Sequence, residues 1–173
     1  MQLVPCTYEP HAREVLDILN EAIVNSTAVY DYKPRATESM VAWFHAKQAG
    51  RYPVIGAIAE DGRLLGFASY GSFRAWPAYK YSVEHSVYVH KDHRGKGIGL
   101  ALMRELIEAA QKQQYHVMIG GIDLANRGSI ALHEKLGFFH AGTVQHAGFK
   151  FGRWLDLAFY QLILKVPEAP VDG

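Results

Sequence analysis

The 173-residue sequence predicts an α+β fold built on a mixed central sheet flanked by helices. Three observations carry that prediction. Apolar residues recur at helical spacing near the start of the chain and again beyond Gly97, while β-branched and aromatic runs bounded by turn residues lie elsewhere. Asp61-Gly62 between two apolar runs is a two-residue hairpin signal. A glycine-rich segment, Arg94-Gly95-Lys96-Gly97-Ile98-Gly99, joins a strand-like run directly to an amphipathic one.

Residues 3–8 read as a short strand, and the helix after them has Pro10 in its first turn, where proline is tolerated. Val15, Ile18, Leu19, Ala22 and Ile23 give this helix one buried face. Residues 30–34 are irregular. Thr37 is expected to cap a second helix that turns Met40, Trp43 and Phe44 inward and ends near Gly50. Residues 54–59 and 64–70 form the Asp61-Gly62 hairpin, and residues 73–80, aromatic and basic without a period, read as a loop. A strand at 84–89 enters the glycine-rich segment, and the helix after it, 100–113, sets Ile98, Leu102, Leu106, Ala109 and Ala110 on one stripe. Residues 117–122 are a buried strand. Asn126 caps a short helix that stops at Gly137, where a sharp helix end wants a residue tolerant of positive φ. Two last strands, 143–149 and 155–164, are joined across 148–152, and the final one is apolar on both faces, as for a strand covered on both sides. Residues 1–166 thus read as a single domain and 167–173 as a loose tail.

Lys plus Arg is 18 against 17 Asp plus Glu, so no polyanion-binding field exists and nucleic acid is not the expected partner. No apolar run approaches the roughly 18 residues that a membrane span needs. The opening Met1-Gln2-Leu3-Val4-Pro5 lacks a basic segment followed by an apolar one, and Cys6 is the sole cysteine, so a cytoplasmic protein is expected. Cys6 lies in the apparent first strand and reads as a buried structural thiol.

A glycine-rich turn that opens a helix aims several backbone N–H groups at one point, with the helix dipole behind them. Arg94 and Lys96 add positive charge, so a phosphate or pyrophosphate is the expected guest. The pattern GxxxxGK[ST] is absent, and GxGxxG fails because Leu100 stands where its third glycine belongs. What remains, Arg-x-x-Gly-x-Gly after a strand, resembles the acyl-CoA loop of the GNAT N-acetyltransferase superfamily. A second run, Asn126 to Phe138, resembles that family's helix ending in Leu-Gly-Phe. Glu84, the Leu132-His133-Glu134 triplet, and Lys150 with Gly152, Trp154 and Asp156 resemble the phosphinothricin and methionine sulfoximine branch.

The resemblance implies a mostly antiparallel GNAT sheet with the acyl-CoA loop between strand 4 and the third helix. It implies acetyl-CoA as co-substrate and acetyl transfer to the α-amine of a small amino acid or analogue, such as methionine sulfoximine, methionine sulfone or phosphinothricin. Val87, Tyr88, Val89, Arg94, Gly95, Lys96, Gly97, Ile98, Gly99, Asn126 and Ser129 are the implied cofactor-binding positions. Backbone N–H groups of a splayed or bulged stretch at 87–89 would polarise the thioester carbonyl. Glu84 is the candidate general base, with simple pairing to Arg74 or Lys80 as the other reading. His133 stands where many relatives carry tyrosine; it is a candidate proton donor to sulfur, a second base, or a histidine that only hydrogen-bonds the core.

Arg74 could hold an α-carboxylate, with Trp76 and Tyr79 walling the pocket, or the loop is solvated charge with aromatic cover. His85, Lys150 and Trp154 complete the expected acceptor contacts, the last two from a C-terminal hairpin near a homodimer interface that the resemblance implies. His90 and His93 beside Asp92 lack a third ligand position, so no metal is expected. Competing functions are acetylation of a peptide N-terminus, a polyamine or an antibiotic, and a non-catalytic acyl-CoA-binding sensor.

Overall fold

The computed structural model describes residues 1–173. Its elements are β1 (Gln2–Pro5), α1 (Tyr8–Asn25), α2 (Ser39–Ala49), β2 (Val54–Ile58), β3 (Leu64–Ser72), β4 (Ser82–Val89), α3 (Ile98–Lys112), β5 (Val117–Asp123), α4 (Arg127–Lys135), β6 (Phe139–Lys150) and β7 (Arg153–Ile163). Single 3-10 turns lie at Pro77–Tyr79 and Lys91–His93. The seven strands are ordered β1-β2-β3-β4-β5-β7-β6. The β1–β2, β2–β3, β5–β7 and β6–β7 pairs are antiparallel and β4–β5 is parallel. This is the α+β fold, with its mixed and mostly antiparallel sheet, that the sequence predicts.

The chain divides into two compact units, Met1–Tyr70 with Ser86–Leu106 and Gly71–His85 with Ile107–Gly173. In the first, α1 turns Val15, Leu19 and Ile23 onto Met40 and Phe44 of α2 and onto Val54, Leu64 and Phe67 of the hairpin. Each such side chain contributes about 1.5–3 kcal/mol on burial. Cys6 belongs to this core, where burial, with Glu14 adding to it, pushes its thiol up to about 12, so it is inert packing. The second helix departs from expectation at its start: Glu38, not Thr37, is the N-cap, and no side chain caps it. Thr37 contributes its carbonyl instead, accepting from the Met40 N–H at 3.1 Å. The hairpin turn falls at Asp61-Gly62 but is one residue longer than that signal suggests: the Ala59 N–H donates to the Arg63 carbonyl across Glu60-Asp61-Gly62, only Gly62 takes positive φ (87°), and Asp61 accepts from the Arg63 N–H at 3.2 Å. α3 opens at Ile98, two residues before the start read from the sequence. It buries Met103 completely, a position outside the expected stripe, and leaves Ala109 half-buried.

In the second unit β5 is paired with β7 along its whole length, from Val117↔Ile163 to Asp123↔Leu157. The last hairpin is longer than the sequence suggests. Its strands reach Lys150 and Arg153, and the turn is Phe151-Gly152, both at positive φ (52° and 72°), the requirement of a tight two-residue turn. Phenylalanine gives no turn signal, so local sequence alone points to a broader turn. Register shifts between His140 and Gly142 and between Val144 and Gly148 break the alternation of β6 and hid its first residues. β7 is also not covered on both sides: Leu155, Ala158 and Tyr160 are buried, whereas Leu157 and Phe159 are half-exposed. At the chain's end the Val171 N–H donates to the Tyr81 hydroxyl at 3.1 Å.

Candidate active site

Strand β4 carries the central acid. Its parallel pairing with β5 runs Ser82↔Val117, Val83↔Met118, Glu84↔Ile119 and stops there. Past Glu84 the strand continues through His85 to Val89 without that ladder, which matches the splay expected at 87–89.

Glu84 and His85 alternate to opposite faces, as neighbours on a strand must. On one face a Cβ added to Gly121 would stand 3.3 Å from Glu84 Oε1, so the carboxylate lies against bare backbone. Arg74 Nη1 is 4.0 Å from Glu84 Oε2, too far for a direct hydrogen bond, and both side chains keep about 40% of their surface (43% and 38%). Burial raises the Glu84 carboxyl above its ordinary value, and the Arg74 charge opposes that rise. Arg74 is itself held in place. Its guanidinium stacks 4.2 Å over the Phe73 ring and Nη1 donates to the Phe73 carbonyl at 2.9 Å. Phe73 packs edge-on to Tyr79 and Phe159, and Trp76 packs edge-on to Tyr79. The loop is therefore an aromatic platform with one cation aimed at one acid.

On the other face His85 is 7% exposed and His133 of α4 is 1% exposed. Their Nε2 atoms are 3.1 Å apart, and His133 Nδ1 is 2.6 Å from the Ser129 carbonyl. A carbonyl only accepts, so His133 Nδ1 carries the proton and its bare Nε2 accepts from His85. The only N–H of the neutral ring is thus committed to Ser129, and the burial favours positioning over proton delivery to sulfur. Burial lowers His133 and pushes His85 down to about 3, with His133 adding to the latter shift. His85, expected among the acceptor contacts, faces this buried pair instead.

Asn126 Oδ1 accepts from the Ser129 N–H at 3.1 Å, the N-cap read from the sequence, and Gly137 sits at φ 88° where α4 ends. Lys150 is buried, its Nζ 5.1 Å from the Phe151 ring centroid, and Trp154 is exposed, stacked on His146.

The glycine-rich loop belongs to the first unit. Gly95 and Gly97 adopt φ 75° and 79°, and a Cβ at either would meet nothing within 4 Å. Glycine is demanded there by backbone angle, and open space lies on that side. The helical ladder of α3 opens with the Ala101 N–H on the Gly97 carbonyl, so the N–H groups of Ile98, Gly99 and Leu100 precede it. That geometry fits a phosphate-bearing guest. The two cations are already engaged: Arg94 Nη2 pairs with Glu21 of α1 at 2.5 Å, Arg94 Nε donates to the Val89 carbonyl, and Lys96 Nζ donates to the Asp92 carbonyl. His90 Nδ1 accepts from the Asp92 N–H, and no group of three His, Cys, Asp or Glu has metal-holding geometry.

The family model described as "Acetyltransferase (GNAT) family" matches residues 14–138. The chain belongs to the GNAT acetyltransferase family. It is an N-acetyltransferase. A Pseudomonas aeruginosa protein named L-methionine sulfoximine/L-methionine sulfone acetyltransferase is 45% identical over 150 residues, covering 87% of each chain. A solved structure from Acinetobacter baylyi, 62% identical, covers 99% of this chain and 96% of that one at a TM-score of 0.98. A phosphinothricin acetyltransferase from Sinorhizobium meliloti, solved in complex with acetyl-CoA, is 35% identical, covers 99% of this chain and 92% of that one, and has a TM-score of 0.93.

Sequence reasoning missed the Gly120-Gly121 pair of β5. The signal was present: adjacent glycines inside an apolar strand mark close approach by another group.

Proposed function

We propose that this N-acetyltransferase moves the acetyl group of acetyl-CoA to the α-amine of small free amino acids and analogues, methionine sulfoximine, methionine sulfone and phosphinothricin among them. The observation that carries the reading is the Arg74–Glu84 pair, held at 4.0 Å without a direct hydrogen bond. An α-amino acid presents a carboxylate and an amine two bonds apart. The guanidinium takes the carboxylate, and the amine then falls to Glu84. Acetyl-CoA supplies a thioester carbonyl; Glu84, directly or through a water, removes the ammonium proton that blocks attack, the nitrogen bonds to the carbonyl carbon as the C–S bond breaks, and CoA leaves as a thiolate that takes up the second amine proton. Backbone N–H groups at 87–89 polarise the carbonyl oxygen. The loop from Arg94 to Gly99 receives the pyrophosphate mainly through backbone N–H groups, and Asn126 and Ser129 border the pantetheine arm. Trp76 and Tyr79 wall the acceptor side chain. The names of the Pseudomonas and Sinorhizobium relatives support the substrate class.

Arg74→Ala should raise the acceptor KM about 10–100-fold, the loss of a charge-assisted hydrogen bond pair, with acetyl-CoA affinity unchanged. An unchanged acceptor KM would remove Arg74 from the site. The pH dependence adds a signed test. Glu84 works as the carboxylate, so kcat/KM falls as pH drops through its raised value. Arg74→Gln deletes the charge that opposes the rise, so the acid limb should move to higher pH. A limb that stays put or moves down contradicts the pairing.

The hairpin of β6 and β7 exposes Val144, Phe149, Phe151 and Trp154 together. Such apolar area supports a homodimer formed through this hairpin. Sedimentation at micromolar concentration should give twice the mass of the chain, and Trp154→Asp should halve it. A monomeric wild type contradicts this part of the proposal. The single cysteine supports residence in the reducing cytoplasm.

A further inference from the structure

The two glycines of β5 each receive a different partner. Gly121 takes the Glu84 carboxylate. A Cβ on Gly120 would stand 2.8 Å from His85 Nε2 and 3.2 Å from His133 Nε2, so a pair of imidazoles rests on the bare backbone there. The two rings are nearly parallel, 17° apart, with centroids separated by 4.9 Å. With the Nε2 atoms at 3.1 Å, that places them edge to edge, the arrangement in which one N–H points at the other's lone pair. Phe138, delivered by the Gly137 turn, packs edge-on against both rings. The Phe138 N–H returns to the His133 carbonyl at 3.0 Å.

The proton inventory closes in one way. Ser129 O requires N–H at His133 Nδ1, His133 Nε2 is then the acceptor, and His85 Nε2 is the donor. His85 Nδ1 is left as a bare, fully buried acceptor, and it indeed has no partner. Burial holds both rings below the ordinary imidazole value, so both are neutral near neutral pH. The chain of contacts runs from β4, through His85 and His133, to the first turn of α4 that Asn126 caps.

We propose that His85 is a positioning residue: its Nε2–H, donated to His133 above Gly120, locks the first turn of α4 to strand β4 and so fixes Glu84, one residue upstream, against Gly121. The proposal rests on the reading of Glu84 as the base. Its function needs glycine at position 120 for the imidazole pair as well as at position 121 for the acid.

The test combines spectroscopy with a matched pair of variants. In ¹⁵N-histidine spectra of the wild-type protein, His133 should carry its proton on Nδ1 and His85 on Nε2. A proton on His133 Nε2 overturns the relay. His85→Leu keeps the bulk and deletes the donor, and it should lower kcat about tenfold while the acceptor KM stays within about twofold. His85→Gln restores a donor at similar reach and should recover most of that loss. Equal rates for the Leu and Gln variants overturn the proposal, and the wild-type spectra decide it if either variant fails to fold. Glu84→Gln separates the two readings. Should that variant retain wild-type turnover, the base assignment fails, while the tautomers and the Leu/Gln contrast still report on the relay.

Discussion

Glu84→Gln lowers kcat by about 10²–10³-fold and leaves acetyl-CoA affinity close to wild type. The magnitude is that of a positioned general base. The substitution keeps the shape that rests on Gly121 and removes only the ability to accept a proton. It also leaves the glycine-rich loop untouched, since that loop draws on other residues. Calorimetric binding of acetyl-CoA and steady-state turnover with methionine sulfone separate the two effects. Wild-type turnover in the variant would show that the proton leaves by another route. Partial rescue at higher pH is the companion expectation, because free amine then no longer depends on the enzyme for its formation.

Gly97→Val abolishes cofactor binding, raising the acetyl-CoA Kd at least about 100-fold. Two physical causes add. Valine at φ 79° is strained by roughly 1–2 kcal/mol, so the loop shifts away from the angle that points its N–H groups outward. The new side chain also projects into space that nothing in the protein fills, where the proposed pyrophosphate would sit. Gly97→Ala carries the strain with far less bulk and should lose less. Retained binding in the valine variant, with normal circular dichroism, would move the pyrophosphate away from this loop.

Much of the fold was legible because local signals agreed with the tertiary outcome. Asn126, Gly137 and the apolar stripe of α1 each act over a few residues and landed where read, while Asp61-Gly62 marks the place of its turn but not its three-residue length. The misreadings share a cause. Phe151 takes positive φ without any turn signature, and the register shifts in β6 spoil its period, so both belong to pairing with β7 and not to local sequence. Thr37 lost its expected cap because the backbone is already turning at that point, with the Ser39 and Met40 N–H groups donating to the Ala36 and Thr37 carbonyls.

The candidate site divides in the same way. The Arg94–Gly99 loop announces itself by glycine spacing. That Arg94 is tied to Glu21, 73 positions away in sequence, does not. Arg74 and Glu84 were both visible as charged residues near aromatic ones, whereas their 4.0 Å separation depends on how loop 73–80 returns to β4. His85 and His133 lie 48 residues apart, and only the fold turns two histidines read from the sequence in separate roles into one buried hydrogen-bonded pair.

The central claim is that an α-carboxylate on Arg74 delivers an α-amine to Glu84. The most direct measurement is thiol release from acetyl-CoA with L-methionine sulfone and, side by side, with its α-carboxamide. Methionine sulfoximine, phosphinothricin, polyamines and short peptides complete the panel. Saturable turnover of the free amino acids, with kcat/KM falling about 10–100-fold when the carboxylate becomes an amide, is the expected result. Equal turnover of acid and amide, or turnover confined to polyamines or peptides, would contradict it.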